Sequence, residues 1–186
     1  MNWLVIDEKY LNYLRKTEHR IPFSDYGKDK YKPFFGVLFE TEKFYYVTQI
    51  SHPQMRHLKM KANQDFKKVY LPDTNRLIAV INLNYMFPIP KSLYQQLEYK
   101  DVDKHRTFIN DTEKSKYIDL MKTELKIINT MNIEKSAIRI YENKYEKPDS
   151  DLAKRCIDFK QIEKLALQYE LGREKANGTK NERRTS

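Results

Sequence analysis

A chain of 186 residues fits one domain and leaves too little for two full-sized ones. Lys and Arg number 35 against 26 Asp and Glu, a net charge of +9, while 40% of residues are hydrophobic and 13% aromatic; this excludes a disordered basic tail and favours a neutral or anionic partner. The single cysteine, Cys156, permits no internal disulfide and no cysteine-based zinc cluster, and four glycines cannot assemble a Rossmann fingerprint or a phosphate-binding P-loop.

Residues 3–6 read as a first strand, cut short by Asp7 and Glu8 too early for a secretory signal. Asp7 can cap a helix to about Lys16, on which Tyr10, Leu11 and Leu14 share one face; capping also explains the neighbouring carboxylates Asp7 and Glu8 better than an acid pair does. Aromatic and β-branched runs at 34–40 and 43–49 flank a short turn and form a hairpin signature. Runs at 66–71 and 77–83 flank Pro72-Asp73-Thr74-Asn75, residues that favour reversal. At least five strands therefore precede residue 90. No apolar run reaches the roughly 20 residues needed to cross a bilayer, so a soluble, cytoplasmic protein without membrane contact is expected.

Beyond the prolines at 88 and 90 the period changes. A helix over 113–131 places Tyr117, Leu120, Met121, Leu125, Ile128 and Met131 on one stripe. Residues 132–144 continue helically after a break, and Asp158 with Gln161 opens a last helix through Leu171 as a capping box. Strands first and helices afterwards predict the α+β class. Residues 1–171 are read as one domain and 172–186 as a polar, flexible tail. That tail holds five Lys or Arg and two Glu, so six of the nine surplus charges lie on the body.

Two loops carry the chemistry. Residues 50–61, directly after a strand, bring together Ser51, His52, Arg56, His57, Lys59 and Lys61. Cations can grip the nonbridging oxygens of a phosphodiester while a hydroxyl or imidazole moves neighbouring protons. Cleavage of RNA by its own 2′-OH needs little more: a deprotonated hydroxyl, in-line geometry, a stabilised phosphorane and a protonated 5′-oxygen. Residues 26–33 interleave Tyr26 and Tyr31 with Lys28, Lys30 and Lys32, a mixture suited to single-stranded nucleic acid through phosphate attraction and base stacking. Solvated lysines and a hydrogen-bonded loop histidine are the plainer alternatives. Zinc is disfavoured because two imidazoles lack an evident third ligand.

Four segments resemble the ToxN family, the endoribonuclease toxins of type III toxin–antitoxin systems. They are Tyr10-Leu11 with Tyr13-Leu14, Lys32-Pro33-Phe34-Phe35-Gly36-Val37, Ile50-Ser51-His52-Pro53, and Ile81-Asn82-Leu83-Asn84-Tyr85-Met86-Phe87-Pro88-Ile89. The resemblance implies an antiparallel, partly barrel-like sheet with packed helices, similar to the MazF and Kid toxins. It implies RNA cleavage without metal or other cofactor, leaving a 2′,3′-cyclic phosphate and a 5′-hydroxyl, in abortive phage infection. The partner it implies is a small structured repeat RNA antitoxin, cut from its precursor by the toxin and then holding the toxin inactive in a closed protein–RNA assembly; cellular or phage RNA would be the substrate.

Carried over by motif, Lys32 stabilises the scissile phosphate and Ser51 bonds the reacting ribose or phosphate. The family's Ser-Pro-Lys continuation is replaced here by His52, Pro53 and Gln54, so His52 and His57 are the candidates for proton transfer. The expected RNA contacts are Tyr10, Tyr26, Lys28, Lys30, Gln54, Arg56, Lys59 and Lys61. Asn82 and Met86 are read as structural. A non-catalytic RNA-binding module would use the same lysines and tyrosines, and a protein-interaction subunit docking through its helical half is a third reading.

Overall fold

The computed structural model describes residues 1–27 and 30–182, with side chains described through Ala176. Lys28, one of the expected RNA contacts, lies outside the described residues, as does the end of the polar tail. Six strands among the described residues form an antiparallel sheet: β1 (Asn2–Leu4), β2 (Phe34–Glu40), β3 (Phe44–Ser51), β4 (Phe66–Tyr70), β5 (Leu77–Asn82) and β6 (Phe87–Pro90). Their order is β1-β2-β3-β5-β4, with β6 added on β3.

β3 is the hub. Its first half, Phe44 to Val47, pairs with β6, whereas Ile50 and Ser51 pair with Ile81 and Val80 of β5. The change of partner falls at Thr48, whose hydroxyl donates to the Asn82 carbonyl at 3.2 Å, and a 3-10 turn at Leu83–Tyr85 carries the chain from β5 to β6. A strand shared in this way splits the sheet and curls it into a partial barrel. Gly36 lets β2 approach β3, since a side chain there would stand 3.0 Å from Val47 Cγ1 and 3.2 Å from the Tyr46 carbonyl. The sequence pattern predicts no strand at 87–90 because two of its four residues are proline; in β6 they sit opposite Tyr46 and Phe44.

Helix α1 (Glu8–Arg15) is capped by Asp7, whose Oδ1 accepts from the Lys9 amide at 2.8 Å. It buries Tyr10, Leu11 and Leu14. A short α2 (Met55–Lys59), unforeseen in the sequence, occupies the loop after β3. Next comes α3 (Asp111–Ile128), which packs on β4, the far edge of the sheet, while Trp3 Nε1 on β1, the other edge, donates to its Met121 carbonyl at 3.0 Å. One helix thus spans the open seam between the two edge strands and covers edges that would otherwise invite aggregation. α4 (Ile133–Glu146) packs on β2, α5 (Asp151–Arg155) on α4, and α6 (Phe159–Glu182) on β6 and α1. The predicted cap of α6 is present, Asp158 Oδ1 accepting from the Gln161 amide at 3.1 Å. The helix continues past Leu171 to Glu182, because Arg173, Glu174, Lys175 and Ala176 after Gly172 are good helix formers.

Trp3, Tyr10, Phe34, Phe35, Tyr46 and Phe87 are fully buried aromatics at the centre of the core. Among the described residues no helix is long and apolar enough to cross a membrane.

Candidate active site

The loop between α1 and β2 is anchored before it reaches the site. Glu8 accepts from both the amide and the hydroxyl of Ser24 and pairs with Arg15 at 2.6 Å. Its carboxyl is consequently held below the usual range although burial opposes this. The Lys32 amide donates to the Ser24 carbonyl at 2.8 Å, and Gln49 of β3 donates from one side-chain nitrogen to the carbonyls of Phe23 and Lys32, both at 2.8 Å. These bonds fix the backbone from which Tyr26, Lys30 and Lys32 project. Phe34 and Phe35 pair with Gln49 and Thr48, while Ser51 at the end of β3 pairs with Val80 of β5 and, unlike His52, is not a wall of the groove around Lys32.

Lys32 Nζ stands 4.5 Å from the centroid of Tyr26, a cation–π contact on an exposed ring. Together with Lys30, Tyr31, His52 and Arg106 these two side chains enclose a groove of about 450 Å³, within the size range of pockets that hold small ligands. His52 stands exposed in this groove, yet the protein around its ring, then Lys32, then Arg106 lower its pKa. It is therefore neutral at pH 7 with one bare ring nitrogen, the form that accepts a proton. Ser51 ends β3 and is half-buried, with no side-chain hydrogen bond among the described residues.

Arg106 was not singled out from the sequence. Its Nη2 bonds Glu113 at 3.1 Å, and its guanidinium lies 4.4 Å from the Tyr117 ring and 5.2 Å from that of Phe108. Glu113 in turn accepts from the Ile109 amide at the start of α3. A planar cation held by a carboxylate and two rings is preorganised for phosphate. The signal was the spacing of an arginine two residues before an aromatic and seven before a helix-capping glutamate. His105, beside it, stacks on Tyr31 with centroids 5.0 Å apart.

Two expected site residues are corrected. Tyr10 is fully buried, its hydroxyl donating to the Pro88 carbonyl at 2.7 Å, so it is a core residue with no face for RNA. His57 is also buried, at 6% exposure, against the Phe66 ring. Its Nδ1 accepts from the Gln54 amide at 3.0 Å, and its own amide donates to the Gln54 carbonyl at 2.8 Å, which closes the first turn of α2. Burial, then Arg56 and Lys68, lower its pKa. It is not a wall of the Lys32–His52 groove. Gln54, Arg56, Lys59 and Lys61 are exposed beyond it; Gln54 lines a second groove with Met55, Leu58, Tyr70 and Arg76. Among the described residues no three His, Cys, Asp or Glu side chains gather as a metal site.

The model of the family described as the ToxN toxin of type III toxin–antitoxin systems matches residues 2–167. Three solved structures share the fold at 19% identity. One is AbiQ, a lactococcal anti-phage endoribonuclease of a type III system, with a TM-score of 0.72 over 91% of this chain and 97% of that one. Another is from a bacterial type III system in which a non-coding RNA pseudoknot selectively inhibits the toxin, with a TM-score of 0.73 over the same shares. A third is from a bacterial antiviral system regulated by a processed non-coding RNA, with a TM-score of 0.70 over 88% and 96%. No curated protein matches. With nearly the whole length matched by the family model, the chain belongs to the ToxN toxins of type III toxin–antitoxin systems.

Proposed function

We propose that this ToxN-family toxin is an endoribonuclease, a single domain over residues 1–171 acting in the cytoplasm, that cuts RNA by attack of the 2′-OH without a metal. The observation that carries the reading is the convergence of Lys32, His52 and Arg106 on one groove walled by Tyr26 and Tyr31. Lys32 and Arg106 hold the nonbridging oxygens and stabilise the negative phosphorane. His52, neutral at rest, takes the 2′-OH proton as the O2′–P bond forms. The P–O5′ bond then breaks, and the imidazolium returns the proton to the leaving oxygen. Ser51, next to His52 in the chain, is assigned to bond the ribose or phosphate at the edge of the groove. Tyr26 offers a ring for stacking, with Lys30, Gln54, Arg56, Lys59 and Lys61 along the path of the strand.

AbiQ is described as an anti-phage endoribonuclease and the second relative as a toxin inhibited by an RNA pseudoknot. By family, this chain processes a repeat RNA antitoxin and is stored with it in a closed protein–RNA assembly, acting against cellular or phage RNA when released. Incubating the pure protein with end-labelled RNA in EDTA tests the activity. Site-specific products with 2′,3′-cyclic phosphate ends are expected; RNA that is bound and remains intact would replace the nuclease with a binding module.

A further inference from the structure

Four buried side-chain polar atoms lack a hydrogen-bond partner among the described residues: Tyr31 Oη, Asn84 Oδ1, Arg106 Nε and Glu124 Oε1. Three of the four belong to residues around the groove. Unpaired buried groups are costly and rare, so their gathering at one place points to a function. Glu124 is the least expected, a carboxyl at 3% exposure on the apolar stripe of α3. It faces a hollow beneath the groove, walled by Trp3, Tyr31, Lys32, Ile50, His52 and Tyr117. The hollow measures about 30 Å³, room for one water and none for a base. Its polar walls are Glu124, Tyr31, Lys32 and His52, enough partners to hold that water.

We propose that Glu124 is a positioning residue of the cleavage site, holding through one water in this hollow the ring of His52 in the tautomer whose bare nitrogen faces the groove. The inference rests on the nuclease reading of that groove. A neutral carboxyl suits the task, since its carbonyl oxygen accepts from the water while the water accepts the inward N–H of His52. As His52 takes up the 2′-OH proton, that inward N–H becomes part of an imidazolium and its bond to the water strengthens. Burial pushes the Glu124 carboxyl up to about 8, so it is uncharged at pH 7. Once ionised it competes with the RNA phosphate for Lys32.

The titratable groups facing Glu124 are few. Lys32 and Tyr31 come from the loop before β2, His52 from the end of β3 and Tyr117 from α3 itself; burial raises the Tyr117 phenol, Arg106 pulls it back down, and an ionised Glu124 adds a smaller upward push. β4, also packed on α3, carries Lys67 and Lys68; Lys67 is lowered by burial and raised by Asp65. β1 contributes Trp3, which does not titrate.

The test is a ring-nitrogen NMR titration of the wild-type protein, read beside cleavage. The His52 signals should show a single tautomer at pH 7 and a second inflection near pH 8, with no such inflection at His57. Glu124→Gln should abolish that inflection and the wild-type loss of cleavage above pH 8. Glu124→Leu should mix the tautomers and lower kcat about 10-fold at unchanged KM, as removal of an orienting partner does, with Gln recovering part of the loss. Cleavage by the wild type with a His52 signal blind to Glu124 would overturn the link alone. A wild type that cleaves no RNA, yet whose His52 follows Glu124, would remove the nuclease reading and uphold the link.

Discussion

The ammonium of Lys32 lies 4.5 Å above the ring of Tyr26, on a backbone that Gln49 ties to β3. The contact holds a flexible point charge at the mouth of the groove, and among the described residues no carboxylate forms an ion pair with it. Lys32→Ala should lower the initial rate of RNA cleavage about 10²–10³-fold, as loss of one oxyanion-stabilising group does. Tyr26→Ala should cost more than Tyr26→Phe, because only the former removes the ring. Equal rates for Lys32→Ala and wild type would take Lys32 out of the chemistry.

The two histidines of the loop after β3 should part company. His52→Ala should lose about 10²–10⁴-fold in cleavage, the range of a removed acid–base group, with thermal unfolding unchanged. His57→Ala should lower stability by about 1–3 kcal/mol, the cost of stranding a buried hydrogen-bond partner, while the fraction that remains folded cleaves RNA. The comparison needs only a melting curve and a gel for each variant. A stable, inactive His57→Ala protein would restore the role that burial denies it.

That divergence shows what could be seen in the sequence and what could not. Hairpins and helices were legible because their hydrophobic period is local, and the loops were legible as basic because charge is a property of composition. Which member of a residue set faces inward is settled by tertiary contacts. His52 and His57 are chemically identical in the sequence, yet α2 turns the second onto Phe66. Tyr10 lay on an apolar face that already implied burial, and a core tyrosine is the physical consequence. Glu124 was detectable in principle: counted by threes and fours, the stripe of Tyr117, Met121 and Ile128 passes through it, and a carboxylate on such a stripe marks a buried acid. Arg106 left only the spacing to Phe108 and Glu113 in the sequence; that these and Tyr117 close around one guanidinium is settled by the fold.

Glu124 should also make stability depend on pH. Its carboxyl ionises near 4.5 when unfolded and near 8 when folded, so between those values folding takes up a proton. The contribution to stability is fully present below pH 4.5, is lost as pH rises towards 8, and amounts to on the order of 5 kcal/mol across the window. Glu8 moves the other way, its lowered pKa favouring the fold above the unfolded value, so the total curve mixes both. Subtracting the Glu124→Gln curve isolates the one group. The wild-type stability relative to that variant should fall by about 1.4 kcal/mol per pH unit between 5 and 7.5 in denaturant titrations; a flat difference would mean an ionised Glu124.

Arg106 should be separable from the surface lysines by salt. Each phosphate contact released from single-stranded RNA changes the slope of log K against log salt by about 0.7. Lys59→Ala and Lys61→Ala, exposed and beyond the groove, should each reduce that slope by up to this amount without slowing the cut in single turnovers at saturating protein. Arg106→Lys keeps the charge and so should hold the slope. It loses the planar fit between Glu113 and the rings of Tyr117 and Phe108, and a flexible ammonium does not reproduce the fixed guanidinium. The single-turnover rate should therefore fall, about 10-fold or more, at nearly constant affinity. A variant that instead binds more weakly and cuts at the wild-type rate would make Arg106 an ordinary binding charge, and the phosphorane would rest on Lys32 alone.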